Sequence, residues 1–252
     1  MMATVPPTNQ RDPLVVEVLL LRDDVPDWSS YPFVLPALRS LDRLTLGPAV
    51  TFFVGENGSG KSTLVEALAV AAGFNAEGGS RNFTFATRPS HSELHRHIRL
   101  SRSVRRMRTG YFLRAESFYN VATVVDTISD AQSSHGGRSL HEQSHGESFL
   151  ALAVNRFSAD GFYVLDEPEA ALSLRGQLAL LRRMYDLCGV GSQFVVATHS
   201  PILLAYPGAR IYELCDTGIS PVSYGETEQY QLTRQFLDNP DGFLRHLLSD
   251  EP

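Results

Sequence analysis

One stretch of this chain carries the residue types and the spacing needed to hold phosphate groups. It runs from Gly55 to Ser62 as Gly-Glu-Asn-Gly-Ser-Gly-Lys-Ser, and Lys61 is the only lysine of the chain. Glycines let backbone N–H groups turn inward around phosphates, and a following helix adds its positive N-terminal end. The pattern predicts a nucleoside triphosphate site.

Within this loop we expect different side chains to bind the phosphates and the metal ion. We expect Lys61 to reach the β- and γ-phosphates and Ser62 to ligate Mg²⁺ through its hydroxyl. The other candidate nucleotide-binding residues are Gly55, Asn57, Gly58, Ser59, Gly60 and Thr63. The alternative is a glycine-rich turn that happens to contain a lysine.

A second element is an apolar strand that ends in two carboxylates. Phe162–Leu165 predicts the strand, and Asp166 and Glu167 follow it. Beside a phosphate-binding strand, Asp166 would hold the Mg²⁺ shell, while Glu167 would orient and deprotonate the attacking water. The alternative is a solvated acidic turn. In Thr-His-Ser-Pro, His199 follows another predicted strand, which would place it facing the γ-phosphate.

The surrounding segments predict the elements that must position these residues. Ala49–Val54 reads as a buried strand and Ser62–Ala72 as a helix that ends at Gly73. Leu172–Leu187 predicts an amphipathic helix. Further predictions are strands at 209–214 and 219–224, a helical tail at 227–248 with a break near Pro240, and one helix face formed by Leu174, Leu178, Leu181 and Tyr185. Strands that alternate with helices favour a parallel core sheet.

The order of the motifs points to a family. The glycine loop is followed by Ser144-His145-Gly146-Glu147 before a helical stretch, then by the acidic strand end and the His199 motif. Over residues 50–201 this order resembles the ATP-binding cassette (ABC) ATPases. The resemblance implies an α/β P-loop NTPase fold with a mostly parallel core sheet, an antiparallel β subdomain and a short helical signature subdomain.

The resemblance also implies a mechanism. ATP with Mg²⁺ would be hydrolysed by Glu167 and His199 in a homodimer that holds two ATPs at its interface. In such a dimer, Ser144 and Gly146 of one subunit would cap the γ-phosphate bound to the other. A helix N-cap at Ser144 is the simpler alternative. Glu116 stands where the family has a glutamine that touches Mg²⁺. The adenine-stacking aromatic would be Tyr31 or Phe33.

The residue sequences of the motifs resemble those of the RecF and SMC (structural maintenance of chromosomes) branch of the ABC ATPases. Only 27 residues separate Glu116 from Ser144, which is short for a transporter subdomain and excludes a long coiled coil. The 53 residues after His199 are too few for an appended nuclease. We therefore expect a single domain over 1–252. Its predicted parts are a disordered 1–12, an arginine-rich antiparallel subdomain at 81–114 and a signature subdomain at 117–158.

Charge is concentrated in one segment. Residues 81–114 hold nine arginines against Glu93 alone, so they carry +8 while the rest of the chain carries −14. Arg96–Arg108 could track double-stranded DNA through phosphate contacts. The alternative is a solvated arginine face that pairs with acids elsewhere. A metal site at His91, His95 and His97 is less favoured, since no strand–helix frame supports it.

Length and composition limit the classes of protein to which this chain could belong. The 252 residues suffice for a large α/β domain, and no apolar run approaches the roughly 18 residues of a membrane span. The two cysteines, Cys188 and Cys215, favour a reduced, cytoplasmic protein. Three functions stay open: an ATPase in DNA repair, genome maintenance or phage defence; the ATP-binding subunit of a transporter with a membrane partner; or a slow nucleotide switch for a toxin or nuclease effector.

Overall fold

The computed structural model describes residues 11–80, 92–114 and 145–249, and the elements below are those of these ranges. The strands are β1 Val15–Leu20, β2 Arg43–Thr45, β3 Val50–Gly55, β4 Gly79–Ser80, β5 Ile98–Arg102, β6 Thr109–Arg114, β7 Gly161–Asp166, β8 Gln193–Ala197, β9 Arg210–Cys215 and β10 Gly218–Val222. The α-helices are α1 Pro36–Ser40, α2 Lys61–Ala72, α3 His145–Arg156, α4 Leu174–Gly189, α5 Pro201–Leu204, α6 Glu228–Asp238 and α7 Pro240–Leu248.

A seven-stranded sheet forms the core, in the order β10-β9-β3-β8-β7-β6-β4. The five central strands are parallel, and β10 and β4 join the two edges antiparallel. Every residue of β3 and of β7 is buried, as expected for strands covered on both faces. The predicted α/β fold with a mostly parallel core sheet is confirmed.

A second sheet of three antiparallel strands, in the order β2-β1-β5, lies beside the core. The buried side chain of Gln193 joins the two sheets, since it accepts from Val15 N at 2.9 Å and donates to Val15 O and Gly47 O at 2.8 and 2.9 Å. Of the described part of the segment predicted as the antiparallel subdomain, residues 92–114, β5 joins this sheet and β6 pairs in parallel with β7 in the core.

Helices cover the core sheet on both faces. On one face α2 packs with the antiparallel sheet through Leu64 and Leu68, and on the other α3 and α4 pack through Phe149 and Leu180. Of the predicted apolar face of α4, Leu181 and Tyr185 pack against the core, whereas Leu174 and Leu178 are 68% and 57% exposed. The buried row is Gln177, Leu180, Met184 and Leu187. Leucines occupy both neighbouring rows of this helix, so spacing alone does not choose between them.

The C-terminal part follows the sequence prediction closely. β9 and β10 form an antiparallel hairpin, and α6 and α7 are separate helices with Pro240 at the first position of α7. Proline is favoured there because its missing N–H has no partner in the first turn. Within the described residues, none of the helices combines the length and the apolar character that crossing a bilayer requires.

Candidate nucleotide site

The glycine loop lies between the end of β3 and the start of α2. Gly55, Gly58 and Gly60 adopt positive φ angles of 140°, 83° and 100°, a region that L side chains rarely enter. A Cβ at Gly55 would also clash with the backbone oxygen of Leu214. The Lys61 ammonium is buried and donates to the carbonyl oxygens of Gly55 and Glu56, both at 2.8 Å. The loop thus curls around its own lysine.

The metal side of the site joins two chain segments. Ser62 Oγ donates to Asp166 Oδ1 at 3.0 Å, which brings a hydroxyl and a carboxylate side by side. Ser59 Oγ is buried and has no hydrogen-bond partner within the described residues. Among the described residues, the ammonium of Lys61 bonds to carbonyls and the Ser59 hydroxyl has no partner. Together with the adjacent oxygen donors, these groups fit a triphosphate with Mg²⁺, which keeps phosphate and water ligands beside one or two protein ligands.

Glu167 begins the turn after β7 in an unusual backbone conformation. Its φ and ψ are 49° and 52°, a left-handed geometry that costs a non-glycine residue about 1–3 kcal/mol. Its backbone N–H donates to Ala197 O at 3.0 Å, which ties this turn to the end of β8. The side chain stays 38% exposed, whereas that of Asp166 is 4% exposed. Strain at a chemically useful carboxylate is the expected mark of a functional position.

His199 follows β8 and lies next to Glu167. Its Nε2 is 3.8 Å from Glu167 Oε1 and makes no hydrogen bond within the described residues. Glu169 holds the His199 backbone: its Oε1 accepts from His199 N at 2.5 Å and its Oε2 from Thr198 Oγ1 at 2.8 Å. The turn after β7 and the end of β8 are therefore locked together, with the buried Nε2 of His199 beside Glu167.

Burial sets the protonation of the site. It raises the pKa of Asp166 to about 6, opposed by Arg114 and by the Ser62 hydrogen bond. Burial lowers the pKa of Lys61, although the carboxylates of Glu167, Asp166 and Glu169 oppose this. It also lowers the pKa of His199, with a further contribution from the nearby Lys61 charge, so the imidazole is neutral at pH 7. Phosphate oxygens would compensate the charge of Lys61, and a divalent cation would compensate the carboxylates.

The two candidate adenine-stacking residues differ in exposure. Tyr31 is 63% exposed, and its hydroxyl lies 2.8 Å from Thr63 Oγ1. It lines a cavity of about 180 Å³ together with the glycine loop, Lys61 and Glu167. Phe33 is 2% exposed and packs edge-to-face against His97 at 5.1 Å between ring centroids. The structure therefore contradicts Phe33 as an adenine-stacking residue.

The family's signature element is described only in part. Gly146 lies in the first turn of α3, and a Cβ there would come within 3.0 Å of Ala171 O, in the turn that follows Glu167. Gly146 is not among the residues that line the glycine-loop cavity of its own chain. Ser144 and Glu116 lie outside the described residues.

Several arginines of the basic segment are engaged within the protein. Arg105 is 18% exposed and binds Asp160 at 2.8 Å and Gly191 O at 2.7 Å, at the end of the sheet opposite the glycine loop. Arg108 lies 3.7 Å from Asp160, and Arg96 pairs with Glu93 at 3.0 Å. These contacts support, for Arg105, the alternative in which the arginines pair with acids elsewhere in the chain. Arg102 and Arg106 are exposed. The described histidines, carboxylates and cysteines form no metal-binding group of three or more.

Sequence reasoning missed three site residues. Arg114 donates to Asp166 Oδ2 and to Glu66 Oε2, and Glu169 holds the His199 backbone. One local signal existed for Glu66, because it lies four residues after Ser62 and so on the same helix face. Arg114 could be found only once β6 and β7 were known to be neighbours.

The glycine loop, the acidic end of β7 and the histidine at the end of β8 occupy adjacent strand ends of one parallel sheet. This arrangement is that of a P-loop nucleotide-binding site, and it has the order of motifs for which the sequence resembles the ABC ATPases.

Comparisons with known proteins agree with this class. A family model described as "AAA domain" matches residues 32–140. The zinc import ATP-binding protein ZnuC of Alkalilimnicola ehrlichii is 30% identical over 167 residues, which cover 62% of this chain. The chain spans 60% of the length of that relative.

Two solved structures are similar to this chain at a lower level. The SMC head domain from Thermotoga maritima has a TM-score of 0.45 and 15% identity, over 83% of this chain and 99% of that one. The cbiO1 protein from Clostridium perfringens, part of the ABC transporter complex cbiONQ, has a TM-score of 0.45 and 17% identity, over 82% and 90%.

Proposed function

We propose that this chain binds ATP with Mg²⁺ and hydrolyses it to ADP and phosphate. The observation that carries the proposal is the meeting of Lys61, Asp166, Glu167 and His199 at the ends of three neighbouring strands and the loops that leave them. Lys61 would exchange its two carbonyl partners for phosphate oxygens, and Ser62 with Asp166 would hold the cation. Bound Mg²⁺ would supply charge compensation for the phosphates.

The attack on the γ-phosphate would use the exposed pair of Glu167 and His199. Glu167 is placed to accept a proton from water, since its carboxylate lines the same cavity as Lys61. The neutral His199, whose pKa is lowered by burial, would donate a hydrogen bond to the γ-phosphate or the water. Glu169 fixes the backbone of His199 and so keeps the imidazole beside Glu167.

The site is completed, in this proposal, by a second copy of the chain. Gly146 is not among the residues that line the cavity of Lys61 and Glu167 in its own chain, which supports a cap supplied by another protomer. Ser144 and Gly146 of the opposite protomer would cap the γ-phosphate. ATP would then hold a homodimer together and hydrolysis would release it.

We place this ATPase in the cytoplasm, acting in DNA repair, genome maintenance or phage defence, with double-stranded DNA or a protein effector as partner. The exposed arginines around Val104, which line a cavity of about 780 Å³, support a polyanion partner. The match to a protein named as a zinc import ATP-binding protein favours a second candidate, the ATP-binding subunit of a transporter.

ATP turnover by the purified chain, with and without double-stranded DNA, tests the proposal. Glu167→Gln serves as the inactive control. Turnover that DNA stimulates and the variant lacks would support a genome-maintenance ATPase. Turnover that DNA does not change would retain the ATPase and direct the search to a protein or membrane partner. No turnover above the Glu167→Gln level under any condition would refute hydrolysis.

A further inference from the structure

Arg114 lies between two buried carboxylates at the metal side of the site. Its Nη1 is 2.9 Å from Glu66 Oε2 and its Nε is 3.2 Å from Asp166 Oδ2. The side chains of Glu66 and Asp166 are only 9% and 4% exposed. The sheet creates this contact, because parallel pairing of β6 with β7 sets Arg114 opposite Asp166.

The contact leaves Asp166 held from two sides. Ser62 Oγ donates to one carboxylate oxygen and Arg114 Nε donates to the other, so the plane of the carboxylate is fixed. Glu66 anchors the arginine from α2, the helix that also carries Ser62. Glu66 is itself held, since its Oε1 accepts from Ser92 N at 3.2 Å. The chain of contacts ties the end of β7 to the phosphate-binding helix.

We propose that Arg114, anchored by Glu66, is a positioning residue that orients the Asp166 carboxylate for the cation of bound Mg²⁺–ATP. The proposal rests on the nucleotide site of the proposed function and goes beyond it, since none of the family motifs quoted above includes either residue. Groups that orient a metal ligand from behind usually matter about 10- to 100-fold in metal affinity or activity.

A purely electrostatic role for Arg114 predicts the opposite change in cation affinity. A guanidinium beside a carboxylate weakens its attraction for a second cation, so removing the positive charge alone would tighten cation binding. Loss of positioning would instead weaken cation binding, because Asp166 would lose one of its two side-chain contacts with described residues and keep that with Ser62. A measurement of cation affinity therefore separates the two roles without relying on turnover.

The experiment compares wild type with Arg114→Gln, using Mn²⁺ binding followed by electron paramagnetic resonance in the presence of the β,γ-imido analogue of ATP. We expect the half-saturating Mn²⁺ concentration to rise about 10-fold in Arg114→Gln and less in Arg114→Lys, which keeps one donor. Affinity for the analogue in excess EDTA should stay unchanged. Arg105→Gln is the matched control: Arg105 is 18% exposed and ion-paired, close to the 24% of Arg114, and its loss should lower the melting temperature without changing Mn²⁺ affinity.

Unchanged or tighter Mn²⁺ binding in Arg114→Gln would overturn the proposal. Should that variant fail to fold, Glu66→Gln gives the same test, because it removes the anchor and leaves Arg114 beside Asp166. Its Mn²⁺ affinity should fall by a smaller factor, and an unchanged value would overturn the anchoring. Mn²⁺–nucleotide binding without ATP turnover would refute hydrolysis alone, whereas a wild type that binds no Mn²⁺–nucleotide would overturn both proposals.

Discussion

Ser62 Oγ lies 3.0 Å from Asp166 Oδ1, although 104 positions separate the two residues in the chain. One follows the glycine loop and the other ends a strand two places away in the sheet. Their contact places a hydroxyl and a carboxylate side by side, as oxygen ligands of the proposed nucleotide-bound cation would lie. The contact also fixes the phosphate-binding helix to the strand that carries Glu167.

Glu167→Gln should stop hydrolysis and trap an ATP-bound dimer. The amide cannot accept a proton from water, so turnover should fall about 10²- to 10⁴-fold while ATP binding remains. Light scattering after size exclusion, at saturating ATP, should report twice the protomer mass. Asp186→Asn, which alters an exposed carboxylate on α4, should behave like wild type. A variant that stays monomeric with ATP bound would contradict the shared-site proposal.

Glu169→Gln should slow turnover without weakening ATP binding. His199 N and Thr198 Oγ1 both donate to the Glu169 carboxylate. The NH₂ group of the glutamine amide would face one of these donors, and this conflict would displace the His199 backbone. We expect kcat to fall about tenfold, or about 1.4 kcal/mol. His199→Ala should cause a similar fall, and the double variant should lose little more, because both changes act on one group. Fully additive losses would show independent roles.

The stability of the nucleotide-free protein should fall as pH rises through about 6. Burial raises the pKa of Asp166 from 3.8 to about 6, so the folded state favours its protonated form. The protonated carboxyl's contribution to the free energy of unfolding is fully present below pH 3.8. It is lost as Asp166 ionises in the folded state. The loss amounts to about 3 kcal/mol. Melting temperatures in EDTA from pH 4 to 7 should show a steeper decline for wild type than for Asp166→Asn; parallel curves would contradict this.

Tyr31→Ala should weaken ATP binding through loss of base stacking. An exposed ring beside Thr63 at the phosphate-binding helix is positioned for adenine, and stacking on an aromatic ring is worth about 1–3 kcal/mol per base. Tyr31→Phe should retain the affinity, since it keeps the ring and loses only the Thr63 contact. Inorganic tripolyphosphate, which has no base, should bind all three proteins equally. Equal losses for both ligands would indicate a structural role for Tyr31.

Neutralising Arg102, Arg106 and Arg108 to glutamine should weaken binding to duplex DNA. The exposed arginines would each release counterions, so the salt dependence of log K should flatten by about 0.9 per lost phosphate contact. Arg182→Gln, on an exposed helix face, is the matched control. Arg105 is left unchanged because it bonds to Asp160 and Gly191 inside the protein. Absence of wild-type DNA affinity at low salt would remove the proposal.

The motifs and the elements around them could be predicted from sequence because each depends on neighbours in the chain. Glycine conformations at the loop, the buried run of β7 and the helix that ends at Gly73 follow from local backbone preference and apolar spacing. The same local rules failed for α4, where leucines on two adjacent rows give one spacing pattern and packing selects the row with Leu180 and Met184.

The contacts between distant segments were decided by the tertiary structure alone. Gln193 bonds to backbone groups of Val15 and Gly47, and Arg114 meets Asp166, only because strand order brings these segments together. Strand order follows from burying apolar faces across the whole domain, a sum over many weak contacts that no short window of sequence contains. The sequence by itself therefore determined which groups we propose to bind and hydrolyse ATP, and the packed sheet decided which side chains hold them in place.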